Sequence, residues 1–520
     1  MPLLKRTRCQ PSAATAPRNR RNASVRETAR AGASRHRKGF LSGMNRIRVI
    51  LSLAIAAWVG RGSIGDAAPT TEAKPNVIFV LVDDLGYGEL SCFGQKTMRT
   101  PHLDRMADEG RKMTRFYSGN TVCAPSRTVL LTGLHNGHAT IRGNRDPLAD
   151  GASLRAEEPT VAKVLKRAGY RTACIGKWGL GTEKTEGHPD RQGFDEFFGF
   201  LTHKHAHNHF PDFLWRGRDR VSLKNVVRSM SDNPDDPAGV PEKAVEYADD
   251  LFAEEALRFV ERSKDGPFFL YYSMTIPHAN NEATKVSQNG NEVPDEGSYR
   301  DRPWNAQQRG HAAMVERMDG YVGRLLARVR ELGIAERTLV IFSSDNGHHV
   351  EGGEGPEDIF DKNGPLRGWK RDLTEGGIRV PTIAWWPGRI AARTESAHVA
   401  HFADFLPTAA ELAGAAIPEG RDGLSFAPDL LGREGQTVHK HLYWEFYERG
   451  FSQAVLMDGR WKAIRLRRAD APIEVYDVAE DVGESRDLAG QRADLVARAE
   501  ALFRSERAES PNWLVPKPGK

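Results

Sequence analysis

Two pairs of oxygen-bearing side chains occur far apart in the chain, and each pair directly follows an apolar run. Asp83 and Asp84 follow the run VIFVLV, and Asp345 and Asn346 follow the run TLVIFSS. Carboxylate and amide oxygens are hard ligands, which suit Ca²⁺ or Mg²⁺ and suit zinc poorly. The alternative is that these residues only cap turns at the ends of strands. Because two such pairs occur, we expect these residues to converge on a hard cation, Ca²⁺ or Mg²⁺.

A cysteine stands at the start of a segment that has the features of a helix N-terminus, Cys123-Ala124-Pro125-Ser126-Arg127. Proline in the first turn with a serine beside it is typical of such a start. A helix N-terminus directs backbone N–H groups and a positive partial charge at a bound anion. The alternative is that Cys123 is an ordinary buried cysteine and that Arg127 forms a structural ion pair. The segment predicts an anion site beside the cysteine.

The pentapeptide 123–127, followed by VLLTG, resembles the signature of the type I sulfatases of the alkaline phosphatase superfamily, which include the arylsulfatases. Further segments similar to sulfatases follow in the family's order, so the resemblance covers residues 75–480. It implies that a separate generating enzyme oxidises Cys123 to formylglycine before or during export, and that the aldehyde works as its hydrate. It also implies that the two oxygen-bearing pairs and the modified cysteine together hold one divalent cation, for which we favour Ca²⁺ over Mg²⁺.

The same resemblance implies roles for four more residues. Lys177 in GKWGLG and Lys370 in LRGWK match two lysines that grip sulfate oxygens, and Arg127 braces either the modified side chain or the anion. His278 in TIPH matches a histidine that protonates the leaving oxygen, a general-acid role. One hydroxyl of the hydrate attacks sulfur while these cations stabilise the sulfuryl oxygens. Solvated surface lysines and a structural histidine are the alternatives. We expect a sulfuric ester hydrolase that releases inorganic sulfate.

The sequence departs from the common family pattern at Gly179, where many sulfatases have a histidine that assists the formylglycine hydroxyls. The segment 203–209 contains four histidines, and we predict that His207 supplies the missing group. The alternative is that this histidine cluster binds substrate or an adventitious metal ion. The cluster, together with Trp215 and Arg216, is also a candidate sugar subsite.

Two other functions are compatible with the sequence. One is hydrolysis of a phosphonate or phosphate monoester through formylglycine, and the other is binding of sulfated glycans without catalysis. Gly179 is the main support for the second, and the retention of Cys123, Lys177 and His278 opposes it. We expect the substrate to be a sulfated carbohydrate of the galactose or N-acetylgalactosamine type. An aryl sulfate is the competing small-molecule substrate.

Four apolar runs predict strands buried on both faces of a parallel sheet. They are the segments 77–82, 171–175, 267–273 and 338–344. Between them, amphipathic patterns predict helices at 160–168, 247–263 and 312–332. This alternation predicts an α/β fold with a large, doubly wound, mostly parallel sheet flanked by helices. The candidate residues follow the strands at their carboxyl ends, where such sheets bind ligands.

The pattern changes after residue 430. Short strands are predicted at 442–446, 452–457, 461–466 and 474–476, and a helix at 492–507. We expect a catalytic domain over 74–430 and a small C-terminal α+β subdomain with an antiparallel sheet over 431–520.

The N-terminal region differs from the rest in charge and hydropathy. Residues 1–43 carry 11 Lys and Arg against one acid, so that the chain from Ala68 onwards has a net charge of −7 within the total of +5. This distribution argues against a nucleic-acid partner. A basic segment from Met44, an uncharged apolar run at 49–59 and small residues predict a signal peptide over 44–68, too short for a stable membrane span. We interpret 1–43 as a disordered leader or a misassigned start, and expect export to the periplasm or the medium.

Cysteines are sparse, and no CxxC or Cys/His zinc spacing occurs in the sequence. The fold is therefore not expected to depend on disulfides. Cys92 and Cys174 are most simply buried thiols, with a bridge between them as the alternative.

Overall fold

The computed structural model describes residues 74–145, 149–232, 237–355 and 357–516. The predicted leader 1–43 and signal peptide 44–68 lie outside the described residues. Within the described part, no helix combines the length and the apolar character needed to cross a membrane.

The strands follow the predicted runs and add short strands at the edges. They are β1 (Asn76–Val82), β2 (Arg111–Met113), β3 (Phe116–Tyr117), β4 (Arg171–Lys177), β5 (Glu196–Phe200), β6 (Phe213–Arg216), β7 (Asp219–Ser222), β8 (Val226–Ser229), β9 (Gly239–Lys243), β10 (Phe268–Ser273), β11 (Thr338–Ser344), β12 (Thr382–Trp385), β13 (Thr394–Ser396), β14 (Ala400–His401), β15 (His441–Phe446), β16 (Ser452–Met457), β17 (Trp461–Arg465) and β18 (Ile473–Asp477).

The α-helices alternate with the central strands. They are α1 (Pro101–Asp108), α2 (Cys123–Thr132), α3 (Val161–Arg167), α4 (Ala248–Ser263), α5 (Asn281–Ser287), α6 (Ala306–Glu331), α7 (Glu375–Ile378), α8 (Phe405–Leu412), α9 (Ala427–Leu430) and α10 (Ala493–Ser505). Helix α6 begins six residues before the predicted start. Asn305 caps it, because its side chain accepts the Gln308 N–H while the Gln308 side chain accepts the Asn305 N–H.

A ten-stranded sheet lies at the centre, in the order β13-β2-β12-β11-β1-β10-β4-β5-β6-β7. The five strands from β11 to β5 run parallel, whereas β12, β6 and β7 run antiparallel to their inner neighbours. Side chains alternate between the faces of a strand. Even-numbered residues of β1 from Ile78 to Val82 pack against α1, α4 and α6, and odd-numbered residues from Val77 to Leu81 pack with α2, α3 and α8. The doubly wound fold is confirmed.

The parallel register brings the carboxyl ends of the central strands to one level. Leu81 of β1 pairs with Ser273 of β10 and with Ser343 of β11, and Gly176 of β4 also pairs with Ser273. The residues that follow β1, β10 and β11, and the last residue of β4, therefore emerge at the same edge of the sheet.

A second, antiparallel sheet forms from β15, β16, β17 and β18 in that order. One face packs with α10 through residues such as Leu495 and Phe503. The other face packs against Tyr117 and Val122, in the segment that leads into Cys123. The C-terminal antiparallel sheet is confirmed, and the domain boundary at residue 430 stays a prediction.

The described cysteines Cys92, Cys123 and Cys174 are all free thiols, which excludes a bridge between Cys92 and Cys174 in this structure. Cys174 is buried in β4, as predicted. Cys92 is only partly buried, and burial together with Asp104 raises the pKa of its thiol to about 12.

Candidate active site

Cys123 is the first residue of α2, a helix whose ten residues are all buried. The Ser126 hydroxyl fixes the start of this helix to the sheet, because it donates to the Asp345 carbonyl at 2.6 Å and accepts the Gly119 N–H at 3.1 Å. The positive end of the helix therefore faces the carboxyl edge of the central strands, as the sequence predicted.

The acidic residues meet at this edge. Asp84 donates its N–H to Asp345 Oδ1 at 3.1 Å, and Asn346 Nδ2 donates to Asp84 Oδ1 at 2.6 Å. Cys123 Sγ lies 3.5 Å from Asp83 Oδ1. These residues are at most 2% exposed. The two pairs from β1 and β11 thus form one cluster with the cysteine.

The cluster fits a divalent cation. One ligand atom from each of Asp83, Asp84, Cys123 and His278 lies within 4.8 Å of the others. The Asn346 Oδ1 atom is buried and has no hydrogen-bond partner, although buried polar atoms normally have one. A cation would satisfy that oxygen and the clustered carboxylates, so the donor set matches a hard metal ion.

Three buried cations neutralise the three carboxylates. Lys177 Nζ donates to Asp83, and Lys370 Nζ donates to Asp84 Oδ2 at 2.7 Å. Burial alone would raise the pKa of Asp83, but Lys177 and the other nearby positive groups hold it well below its usual value. Burial and the neighbouring Asp83 raise the pKa of Asp345 to about 7, so the side chains carry no net negative charge, and a bound dication would leave the site positive, which suits an anionic substrate.

Arg127 is the third cation, and its guanidinium is fully engaged. Its Nε and one terminal nitrogen donate to Asp345 Oδ2 at 2.9 and 2.8 Å. The other terminal nitrogen donates to the Lys177 carbonyl at 3.0 Å and to the Ser273 hydroxyl. This arrangement favours the alternative of a structural ion pair, which holds Asp345 in place, and the role predicted for Arg127 towards the modified side chain or the anion stays a prediction.

His278 follows β10 and reaches both Lys370 and Asp84. Its Nε2 lies 3.0 Å from Lys370 Nζ and 3.4 Å from Asp84 Oδ2, and its Nδ1 donates to the Ala279 carbonyl at 2.6 Å. Burial and Lys370 hold the pKa of His278 well below its usual value. The imidazole is therefore neutral, with its proton on Nδ1 and its Nε2 accepting from Lys370.

A buried chain of hydrogen bonds supports the His278 loop from behind. His209 Nε2 donates to the His278 carbonyl at 2.8 Å, and its Nδ1 lies 3.4 Å from the Thr275 hydroxyl. That hydroxyl hydrogen-bonds Asp249, whose other oxygen accepts the Thr275 N–H at 3.0 Å. The Thr275 hydroxyl donates to Asp249, and Thr275 thus links the Asp249 carboxyl to the imidazole that holds the His278 carbonyl.

This chain predicts a pH dependence of stability. Burial raises the pKa of Asp249 to about 7. A carboxyl group whose pKa is higher in the folded than in the unfolded state stabilises the folded state while it is protonated. The free energy of unfolding therefore falls by up to about 1.4 kcal/mol per pH unit as the pH rises from about 4 to about 7. We expect Asp249→Asn to flatten the slope of the unfolding free energy, measured by urea denaturation, over this range. An unchanged slope would show that Asp249 ionises normally.

The four histidines of 203–209 have separate surroundings. His207 stacks on His278 with ring centroids 4.8 Å apart and an interplanar angle of 13°, and its Nδ1 lies 3.0 Å from Glu282 Oε2. His205 packs against Phe200 and Phe213 instead. At Gly179, an added Cβ would meet only open space. The role predicted for His207 stays a prediction, now with a defined carboxylate partner.

A cleft of about 600 Å³ opens over Cys123. Its lining is polar and charged, and comprises Cys123, Asn144, His203, Lys204, His207, His278, Asn281, Glu282, Thr284, Lys285, Val350, Glu351, Gly353, Lys370, Arg371 and Glu448. The prediction that Trp215 and Arg216 form a sugar subsite is wrong. Trp215 packs in the hydrophobic core, and Arg216 lies over Phe198 and pairs with Glu255.

Two features were not predicted from the sequence: the glutamates that line one wall of this cleft, and the buried hydrogen bonds that support the His278 loop. Glu282, Glu351 and Glu448 come from three separate segments, and Asp249 lies at the start of α4. None of them belongs to a motif. For Arg371 the only signal was its place directly after Lys370.

The sequence matches two family models and is similar to known enzymes. Residues 75–415 match the family model described as sulfatase, and residues 367–503 match the one described as N-sulphoglucosamine sulphohydrolase, C-terminal. The N-acetylgalactosamine-6-sulfatase of Canis lupus familiaris is 34% identical over 439 residues, which cover 80% of this chain and 75% of that protein. The steryl-sulfatase of Mus musculus is 30% identical over 576 residues, covering 91% and 89%.

Solved structures share the fold. The crystal structure of Ps i-CgsB superposes with a TM-score of 0.70 at 26% identity, covering 85% of this chain and 94% of that one. A second structure of that protein, in complex with k-i-k-neocarrahexaose, gives a TM-score of 0.69 at 25% identity, covering 85% and 95%.

Proposed function

This chain belongs to the sulfatase family of enzymes that hydrolyse sulfate esters, and we propose that it acts on a sulfated carbohydrate through formylglycine formed from Cys123. We infer a sugar of the galactose or N-acetylgalactosamine type. The observation that carries the proposal is the convergence of Cys123, Lys177, His278 and Lys370 on one buried acidic cluster below a polar cleft. The mechanism follows from the groups that these side chains would bind, the cation and the sulfate, and from the positions of their protons.

The cation would be held by the four residues Asp83, Asp84, Asp345 and Asn346, with the modified residue 123 as a further ligand. When bound, it would polarise the hydrate formed on residue 123 and the sulfate oxygens, as metal ions do in other hydrolases. We favour Ca²⁺, because Mg²⁺ usually keeps several waters and uses one or two carboxylates. Here the four ligand residues are completely buried.

Cys123 is 2% exposed at the start of a buried helix, so no enzyme can reach it in the folded chain. We infer that its conversion to formylglycine precedes folding. This supports the proposed partner, a formylglycine-generating enzyme that meets the unfolded chain before or during export to the periplasm or the medium.

Lys177 and Lys370 would bind the sulfate oxygens. Their ammonium groups now donate to Asp83 and Asp84, and a cation on those carboxylates would free N–H donors for the anion. Preorganised positive groups of this kind stabilise the charge that develops in a transition state. His278 Nε2 shares a hydrogen bond with Lys370, so a proton for the leaving oxygen is available between the two groups.

His207 would serve as the base that takes the second hydroxyl proton. Glu282 Oε2 accepts the Nδ1 proton of His207, which leaves Nε2 as the free lone pair, as the acid of a catalytic triad does for its histidine. The stacked His278 ring fixes the plane of the imidazole.

We expect His207→Ala to lower kcat by about 10²–10⁴-fold, and added imidazole to restore part of the loss, because a base is missing and not a contact. His203→Ala is the control, since His203 lines the same cleft. Both variants are assayed at saturating sugar sulfate. A rise in KM of similar size in both variants, with kcat unchanged, would support substrate binding by the histidine cluster and remove the base assignment.

The lining of the cleft supports a carbohydrate. Val350 is the only aliphatic side chain among the described lining residues. The others are glycine or carry groups that donate or accept hydrogen bonds. Such a lining offers many hydrogen-bond partners to sugar hydroxyls, and a sterol or an aryl ring would use few of them.

The test is release of inorganic sulfate, measured by ion chromatography, from galactose 6-sulfate and N-acetylgalactosamine 6-sulfate. A sterol sulfate, an aryl sulfate and an aryl phosphonate monoester are assayed beside them. We expect the highest kcat/KM with one of the sugars. Preference for the phosphonate would establish the monoester hydrolase instead, and binding of sugar sulfate without turnover by protein with converted Cys123 would establish a binding protein.

A further inference from the structure

Arg371 occupies a backbone conformation that suits glycine. The Asp372 N–H donates to the Trp369 carbonyl at 2.9 Å and closes a four-residue turn in which Arg371 is the third residue, with a φ of 76°. A positive φ at the third position is the mark of a type II turn, where glycine is the usual residue. The strain of an arginine there must be offset by what its side chain contacts.

The turn is fixed to the segment that carries the nucleophile. The Arg371 N–H donates to the Thr121 carbonyl at 3.1 Å, two residues before Cys123. The preceding residue of the same turn is Lys370, which contacts Asp84 and His278. The turn therefore presents two neighbouring cations, one over the acidic cluster and one towards the cleft.

The Arg371 side chain lies between two carboxylates in the cleft wall. Its guanidinium donates to Glu351 and, through Nε at 2.8 Å, to Glu448 Oε2. Glu351 Oε2 in turn lies 3.3 Å from Lys370 Nζ. The three side chains are 21–24% exposed and all line the cleft. This Glu351–Arg371–Glu448 triad thus extends from the sulfate-binding lysine to the rim.

The charge of the triad limits what it can bind. Two carboxylates and one guanidinium leave it with a net charge of −1. Lys370 and Arg371 bring the pKa of Glu351 to about 2 against the effect of burial, so this acid stays ionised at neutral pH. A second anionic group next to Glu351 and Glu448 would meet repulsion. Neutral hydroxyls would not, since carboxylates accept from them and the guanidinium donates to them.

We propose that the Glu351–Arg371–Glu448 triad is a subsite for unsubstituted sugar hydroxyls beside the sulfate ester, and that it rejects a sugar with a second sulfate there. This inference rests on the proposed function and adds a substrate feature to it. The enzyme accordingly acts on sugars whose neighbouring positions are free, so any second sulfate must be removed first by a different sulfatase.

Arg371→Gly is the variant of choice, because glycine keeps the turn and removes only the side chain. We expect its kcat/KM for the preferred sugar 6-sulfate to fall at least about tenfold more than its kcat/KM for 4-methylumbelliferyl sulfate. The change should appear mainly in KM, because the variant loses charged hydrogen bonds to the sugar. Its melting temperature should not fall. Arg393→Gly is the matched control: this exposed arginine has a φ of 57°, and both activities should stay unchanged.

Selectivity is tested with N-acetylgalactosamine 6-sulfate and 4,6-disulfate. We expect the unaltered enzyme to prefer the monosulfate by at least about tenfold, and Glu448→Gln, which removes one negative charge, to reduce that ratio. Equal losses on sugar and aryl substrates in Arg371→Gly, or equal turnover of the two sugars by the unaltered enzyme, would overturn the subsite. Cleavage of the aryl sulfate but of neither sugar would contradict both the subsite and the proposed substrate class. If no sulfate ester were hydrolysed at all, the proposed function itself would be wrong.

Discussion

Replacement of Cys123 by alanine is expected to lower sulfate release by at least about 10⁴-fold, because it removes the atom from which the nucleophile is made. The loss should be the same for sugar and aryl sulfates, since the sulfur atom of either substrate meets the same group. Stability should change little, because the Sγ atom makes one long contact, 3.5 Å to Asp83. The measurement is kcat by ion chromatography of sulfate, together with thermal unfolding.

Cys174→Ala is the matched control for this variant. Cys174 is a buried thiol in β4 that packs in the hydrophobic core. Its loss should cost about 1 kcal/mol of stability through the cavity it leaves, with kcat unchanged. If Cys123→Ala kept its activity within tenfold of the unaltered enzyme, residue 123 could not be the nucleophile.

Replacement of Arg127 by alanine is expected to produce the largest loss of stability, about 3–5 kcal/mol in the free energy of unfolding. The guanidinium is fully buried and pairs with Asp345 at 2.8 Å and Asp83 at 3.6 Å. Its removal leaves the buried Asp345 without its counter-charge, whereas Asp83 keeps Lys177, and it leaves the Lys177 carbonyl and the Ser273 hydroxyl short of a donor. Activity should be lost with it, because Asp345 would no longer be held in place.

Urea denaturation measures this effect, and two further variants define its cause. Arg127→Lys keeps the charge but lacks the planar fork of donors, so we expect an intermediate loss. Arg468→Ala breaks an exposed ion pair with Asp470 and should cost less than about 0.5 kcal/mol. A loss below about 1 kcal/mol in Arg127→Ala would contradict a bracing role for this residue.

The central strands and the site edge were predictable because buried parallel strands appear in sequence as unbroken apolar runs. The run 338–344 corresponds to β11 residue for residue, and 77–82 lacks only the first residue of β1. Parallel strands end at a common edge, so Asp83, Lys177 and Asp345 could be placed together before any contact was known. The carboxylate oxygens of Asp83 and Asp345 then predicted that a bound ion would be a hard cation.

The edge of the sheet was harder to predict, because short half-exposed strands give a weak pattern. The segment FLWR-GR-DRVS forms the hairpin β6–β7, and its two-residue loop begins at Gly217 with a φ of 58°. Two such runs around a glycine-containing loop are a hairpin signal. The hairpin places Trp215 and Arg216 on opposite faces of an outer strand, where Trp215 packs in the hydrophobic core and Arg216 pairs with Glu255.

The cleft wall and the support behind His278 could not be predicted, because both depend on contacts between remote segments. Arg371 and Glu448 are 77 residues apart, and Asp249 reaches Thr275 across α4 and β10. Single charged residues of this kind have no pattern in sequence, since most lie on the surface. The positions of these residues are known only from the folded structure, and the proposals on substrate choice depend on them.

The most direct test of the central claim is mass spectrometry of the tryptic peptide 116–127, which contains Cys123, from a preparation shown to release sulfate from a sugar sulfate. The account predicts a peptide in which the cysteine sulfur is replaced by oxygen and two hydrogens are lost, or the hydrate of that aldehyde. An active preparation in which this peptide carries only unmodified cysteine would contradict it.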